Sequence, residues 1–444
     1  MNKKSLSTIW IVTEVYSPDE TATAHLVSLI AEFVAQENEV KVLCGQPTYT
    51  HRGEKAPRHE LLNGAEVQRC WSTTFSKDNL LLRVVNMLTI NMSMGFRMLF
   101  GFKRGDRVLM VTNPPLLPYV AQIIARLRGA KTCLLVHDIY PDVLVPTGFT
   151  SEGSLLYRVV DFFNRRLYLK MDRIVTIGRD MEARVVAKDD RLRDKMELIS
   201  NWCDPHVTPV PKDSSNEVLA ELEYGHKFII QYAGNIGRTH GVEVIAKAAE
   251  ILERNGFGDK IHWMICGWGG AKPAFEKICT ELNLESVTVE GAFPRSRMPH
   301  VTGVADVSII TYNKGMAGIS VPSRLYNILA AGSPVIAVTD PDAELALVVD
   351  EFDLGWISPA EDCEKLAQLV MKVYEQRDEL SSYRVRCREI ATSRFSRESS
   401  LERYAHVMQM LGTGAKQPAP SSGNDRKMLL PKKWGYKYLT DRRS

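Results

Sequence analysis

Short runs rich in Val, Ile and Leu alternate with longer stretches of helical period, and this alternation passes along the chain twice. Strands are expected at residues 8–13, 39–43, 66–71, 107–111, 132–136, 173–177 and 196–199, and then at 227–233, 261–266, 287–290, 306–310 and 335–338. Between them, Leu26, Leu29, Ile30 and Phe33 mark one amphipathic helix, and Val242, Ile245, Ala246 and Ala249 mark another. Strands separated by helices are joined by right-handed crossovers into parallel sheets covered on both faces. The expected fold class is therefore α/β, with two Rossmann-like, doubly wound domains. Three prolines and a polar cluster in 201–217 interrupt both periodicities and place the boundary there.

Two late helical stretches, 380–394 and 397–411, are not needed to close the second sheet, and at least one is free to cross back to the first domain. The expected division is an N-terminal domain at 1–205, a C-terminal domain at 206–394, a crossover helix at 395–412 and a tail at 413–444.

The net charge of +3 hides an asymmetry. Residues 413–444 carry eight Lys and Arg against Asp425 and Asp441, which leaves 48 basic and 51 acidic residues in the body. A slightly acidic body argues against a nucleic-acid-binding surface. The tail has linker composition and is expected to be disordered. The eight cysteines are scattered singly, without zinc-ligand or redox spacing. The N-terminal apolar stretch lacks a cleavage site and reads as a first strand, so a cytoplasmic protein is expected. Residues 79–104 are apolar and rich in Met, but Arg83, Asn86, Asn91 and Arg97 interrupt them, so they do not form a spanning helix. They read either as core helix or as an interfacial helix that, with the basic tail, touches anionic lipid.

Open parallel sheets bind ligands beyond the carboxyl ends of their strands. Four such segments carry candidate chemistry. In YAGNIGRTHG, Gly234, Asn235 and Gly237 allow close backbone approach, and Arg238 brings a forked cation suited to phosphate. In CGWGG, Gly267 and Gly269 either line a nucleotide site or serve only as turn residues. In GISVPSRLYN, Ser320, Pro322, Ser323 and Arg324 open a helix able to hold anionic oxygens, although capping alone also explains the serines. In CLLVHDIYPD, His137, Asp138 and Asp142 follow a buried strand, where a histidine and a carboxylate can bind a polyol or exchange protons, or can be structural. Thr21, Ala22 and Thr23 follow the first strand and are candidates for the acceptor side. Asp340-Pro341-Asp342 looks like a metal-binding pair but sits in a turn and is read as turn chemistry.

The ordered set GNIG…HG, CGWGG and VPSRLYNILAAGSPVIA, preceded by TNPPLLPYVA and LVHDIYPD, resembles the retaining glycosyltransferases of the two-domain GT-B fold, from Ile9 to Leu411. The bacterial transferases of exopolysaccharide, capsule and O-antigen synthesis are the most similar subgroup. The resemblance implies two domains facing a cleft, with a UDP- or GDP-sugar held by the second and a glycan or lipid-linked acceptor by the first. A C-terminal helix would cross back to the first domain, and no metal or other cofactor would be needed. In that scheme the acceptor attacks on the face the nucleotide leaves, His137 orients the donor sugar, and Asp138 positions sugar or acceptor. Two departures stand out. Where many members carry a pair of Glu, this chain has Ile319 and Asn327, so Asn327 or Glu344 would have to hold the ribose. The family's basic pair in the phosphate turn is incomplete, with Arg238 present and His240 near where Lys is frequent. An epimerase or hydrolase of the same fold, or a non-catalytic nucleotide-sugar binder, is the alternative.

Overall fold

The computed structural model describes residues 7–47, 55–75 and 80–413. In the first half the order is β1 (Ile9–Val12), α1 (Ala22–Ala35), β2 (Val40–Cys44), β3 (His59–Leu62), β4 (Ala65–Arg69), α2 (Leu80–Gly101), β5 (Arg107–Val111), α3 (Leu117–Arg128), β6 (Lys131–Val136), α4 (Leu155–Lys170), β7 (Arg173–Thr176), α5 (Arg179–Lys188) and β8 (Met196–Leu198). The second half runs α6 (Glu217–Glu221), β9 (Phe228–Asn235), α7 (Glu243–Arg254), β10 (Ile261–Trp268), α8 (Lys272–Glu281), β11 (Val287–Glu290), α9 (Met298–Gly303), β12 (Val307–Thr311), α10 (Arg324–Ala330), β13 (Val335–Thr339), α11 (Glu344–Glu351), β14 (Gly355–Pro359), α12 (Cys363–Glu375), α13 (Leu380–Arg394) and α14 (Arg397–Thr413).

Two sheets form, with strand orders β3-β4-β2-β1-β5-β6-β7-β8 and β11-β10-β9-β12-β13-β14. Every pairing is parallel except β3–β4. All twelve expected strands are present, and β3 and β14 are additions. The Asn63-Gly64 turn, with positive φ at both residues, folds β3 back on β4 as a two-residue hairpin. β14 has no run of Val, Ile and Leu because it is a half-exposed edge strand that ends in proline.

In the first domain the chain reverses direction across the sheet at β1. Right-handed crossovers consequently put α1 on one face and α2, α3, α4 and α5 on the other. The bare part of the α1 face is covered by α14, which packs on α1, β5 and β6. Leu401, Tyr404, Val407, Met408 and Leu411 join the first domain's core. Arg107 donates to the carbonyl of Met408 at 3.2 Å, and Trp202 meets Tyr404 edge-on. α13 stays behind and packs on α10. The crossover helix thus occupies the expected place.

Within residues 79–104, Leu80–Gly101 form one continuous helix, α2. Among the described residues no helix is long and apolar enough to cross a membrane. The basic tail lies outside the described residues, apart from Thr413.

Tyr404 is 1% exposed. Tyr404→Ala is expected to destabilise the first domain by about 3–5 kcal/mol although the residue follows the whole second domain; urea unfolding monitored by a probe in each domain checks this.

Candidate active site between the two sheets

The carboxyl ends of the two sheets face one another across a cleft crossed by direct contacts. The Ile139 amide, just past β6, donates to the carbonyl of Ile319 at 3.2 Å. Asp180, in the first turn of α5, accepts from the amides of Gly318 and Glu344, each at 2.8 Å. Asn313, after β12, donates to the carbonyls of Pro146 in the first domain and Arg238 in the second. The two domains therefore meet along the β12–α10 segment.

On the first-domain wall, His137 stands at the end of β6. Its amide donates to the Thr112 hydroxyl at 3.1 Å, and its Nδ1 lies 3.3 Å from the Thr23 hydroxyl. Nε2 is buried and has no partner among the described residues. Burial pushes the imidazole down to about 4, so it is neutral near pH 7. With Thr23 donating to Nδ1, Nε2 keeps its proton and is a donor. Asp138 is half-buried; burial raises its carboxyl, opposed by a hydrogen bond from the Ser320 hydroxyl of the opposite domain. Thr21 is spent on capping α1, accepting from the Ala24 amide, and Ala22 is an exposed methyl beside it.

The second-domain wall is built on the turn after β9. Gly234 has φ +144°, and a Cβ there would stand 2.8 Å from Nη1 of Arg324. The Arg324 guanidinium lies over the Tyr232 ring at 4.3 Å, and its Nη2 is buried without a partner among the described residues. The cation pressed against the glycine turn is thus Arg324. Arg238 is exposed and its guanidinium lies 5.9 Å from the Phe149 ring of the first domain. His240 stacks on Tyr312, and burial together with the Arg324 charge pushes it down to about 3, so it is neutral near pH 7 and the basic pair stays incomplete. Asn235 is exposed beside Gly237 at the lip of the turn. The first helix after this turn, α7, begins only at Glu243.

Several candidates have other roles. A Cβ on Gly267 would lie 1.9 Å from the Gly234 carbonyl, and one on Gly269 would lie 2.3 Å from the Ile236 carbonyl. These glycines let β10 close on the β9 turn, and that packing by itself requires glycine at both positions. Asp142 is 2% exposed and accepts from Arg184 and Lys188, each at 2.8 Å. Burial pushes its carboxyl up, but the two cations hold it below the usual range; it braces the first domain and is no acceptor contact. Glu344 accepts from the backbone and the guanidinium of Arg179. Burial pushes it up to about 7 against that cation, and it belongs to the domain contact instead of a ribose site. Asn327 turns to the linker, where its Oδ1 accepts from the Asp204 amide at 2.8 Å. Pro322 is buried, and Ser323 starts α10 without a side-chain cap. Asp340 accepts from the amides of Gly315 and Ala317, so its carboxylate ties the loop after β13 to the loop after β12.

The sequence reading missed Thr112, Tyr312 and the Arg179-Asp180 pair. Thr112 and Tyr312 each directly follow a strand, so the rule that selected His137 reaches them too. Arg179 and Asp180 gave no local signal, because their partners lie more than 130 residues away.

Two families match the chain, one in each domain. Residues 21–202 match the glycosyl transferase 4-like domain, and residues 215–394 match glycosyl transferases group 1. The Pseudomonas aeruginosa protein WbjE, named as a glycosyltransferase, is 33% identical over 70% of this chain and 76% of its own length. The Escherichia coli K12 protein WcaI, named for colanic acid biosynthesis, is 25% identical over 76% of this chain and 84% of its own. Among solved structures, a sucrose-phosphate synthase of Thermosynechococcus elongatus superposes with TM-score 0.73 at 14% identity, covering 92% of this chain and 100% of its own. The Anabaena protein HepE in complex with UDP-glucose superposes with TM-score 0.67 at 13% identity, covering 90% and 99%. These superpositions show that the fold is GT-B.

Two predictions follow from the geometry. Gly267→Ala is expected to abolish soluble expression or lower the thermal midpoint by many degrees, whereas Gly270→Ala, with open space around its Cβ position, leaves it within about 2 °C; thermal melts of the two variants decide. His137 has a folded pKa below its unfolded value of 6.5, so its contribution to stability is present above pH 6.5 and lost as pH falls towards 4. Between pH 7 and pH 5, wild type should lose on the order of 1–2 kcal/mol more than His137→Gln in urea unfolding.

Proposed function

Because this chain belongs to the glycosyltransferases, we propose that it is a retaining enzyme moving a sugar from a UDP- or GDP-sugar to a glycan or lipid-linked acceptor in cell-surface polysaccharide synthesis. The observation that carries this reading is the pair of buried nitrogens without partners among the described residues, one on each wall of the cleft: Nη2 of Arg324 and Nε2 of His137. Buried donors are costly to leave unpaired. A diphosphate against Arg324 and a sugar hydroxyl against His137 would pair both. The names of WbjE and WcaI, and the UDP-glucose held by HepE, support the polysaccharide context and the class of donor.

In this mechanism Gly234 lets the diphosphate approach the β9 turn, and Arg324 neutralises the charge that grows on it as the bond to the anomeric carbon breaks. Tyr232 and the surrounding protein hold the guanidinium in place beforehand, so little reorganisation is needed at the moment of reaction. His137, neutral and fixed by Thr112 and Thr23, donates from Nε2 to a sugar hydroxyl. The acceptor oxygen bonds to the anomeric carbon on the face the nucleotide leaves, and its proton passes to an oxygen of the departing diphosphate. Asp138, held by Ser320, positions sugar or acceptor at the domain contact. The scheme draws no charge stabilisation from a metal, and the reaction runs in the cytoplasm at the inner face of the membrane.

Nucleotide release from a panel of UDP- and GDP-sugars, with and without membrane lipid extract and with EDTA throughout, is the direct test. The proposal expects release from one donor that depends on the extract and is unaffected by EDTA. His137→Ala should lower turnover by about 10²-fold or more with little change in donor affinity, and Arg324→Ala should weaken donor binding as well. Release without a glycosylated product would favour a hydrolase or epimerase, and binding without release a non-catalytic subunit.

A further inference from the structure

On the first domain, α2, α3 and α4 lie side by side over one face of the sheet. In α2, Ile90, Met94 and Met98 pack inward. At about 100° per residue the opposite side of the same helix carries Leu81, Val85, Leu88, Met92 and Phe96. That outer stripe faces solvent, with Met92 74% and Phe96 67% exposed. The neighbouring helices continue it, α3 with Ile123 and Leu127, and α4 with Leu155, Val159, Phe162 and Phe163, all exposed. A helix apolar on both sides is satisfied only when both are covered. Contiguous exposed apolar area on this scale marks a docking surface.

Charge identifies what covers it. The three helices contain seven arginines and one lysine but a single acidic residue, Asp161, which is bound to Lys188 at 2.5 Å. Arg166 lies over the Phe162 ring at 4.4 Å, which holds a cation level with the aromatic surface. Two copies of this face would repel one another, and the basic C-terminal tail would be repelled as well. Aromatic and aliphatic side chains among arginines suit the boundary between acyl chains and anionic headgroups.

We propose that the outer face of α2, α3 and α4 docks the protein on an anionic lipid bilayer. The helices after β4 and β6 start at the carboxyl ends of the strands, so Leu81 and Leu155 mark the cleft end of the patch. Phe149, exposed on the loop before α4, meets Arg238 of the donor domain. Resting on the transferase reading above, this places the mouth of the cleft at the headgroups, where a lipid-linked acceptor presents its polar end.

Flotation of the full-length protein with phosphatidylcholine vesicles, with or without about one-third phosphatidylglycerol, tests the proposal without donor or acceptor. Docking therefore stands or falls separately from catalysis. The protein is expected to float with the anionic vesicles, and a Met92→Glu/Phe96→Glu/Phe163→Glu variant to bind at least about tenfold more weakly, with unchanged thermal midpoint and nucleotide-sugar affinity. Arg158→Gln/Arg166→Gln should weaken binding several-fold and flatten its salt dependence. Wild type remaining in the dense fractions, or a triple variant that floats as well as wild type, would overturn it. So would a wild-type dimer in solution that the triple variant loses, because the face would then belong to a second copy.

Discussion

One carboxylate sets the relation between the two halves of this enzyme. Asp180, projecting from the start of a first-domain helix, binds two amides of the second domain, and one of them begins the helix that carries Glu344. Glu344 returns the contact by accepting from Arg179, which also reaches Glu351. The exchange is largely buried, and burial raises both Asp180 and Glu344 above the usual carboxylate range. Charges removed from water in this way are tolerated only when hydrogen bonds meet them. The site follows from this arrangement, because Ser320 and Ile319 reach Asp138 and Ile139 only when the β12–α10 segment is held there.

Within the cleft the two walls differ in character. The first domain offers a neutral imidazole and a half-buried carboxylate, both hung on Thr112. The second offers a fixed guanidinium on an aromatic ring, behind a turn that has no side chain in the way. Placing cation and hydrogen-bond donors before the ligand arrives concentrates their effect on the moment when charge develops, which is the role the proposed mechanism gives them.

Much of the fold was legible because its signals are local. A period of two or of 3.6 residues appears within a dozen positions, and twelve strands and the late helices fell where those periods put them. The Asn63-Gly64 hairpin was equally visible and was passed over, since β3 is short, half-exposed and poor in β-branched residues. The site was legible in place but only partly in role. A strand-end glycine looks the same whether it faces a ligand, as Gly234 does in the proposed mechanism, or a neighbouring strand, as Gly267 does, because the difference lies in what stands where a Cβ would be, Arg324 for the one and the Gly234 carbonyl for the other. The ion pairs of Asp142 and Glu344 are hidden from the sequence for a related reason: their cations, Lys188 and Arg179, are distant along the chain and announce nothing there. Arg324 gains its place from Tyr232, 92 positions earlier, which no local pattern reports.

The return of α14 to the first domain bears on how the molecule is made. A ribosome delivers β1 to β8 long before Tyr404 and Leu411, so the first sheet leaves the exit tunnel with one groove of its core uncovered. The second domain, complete by α13, can finish first and tether the emerging α14 close to that groove. Late-made residues thus complete the early-made half, and nascent chains halted short of residue 411 would present to chaperones a half-enzyme whose oldest part is the least finished.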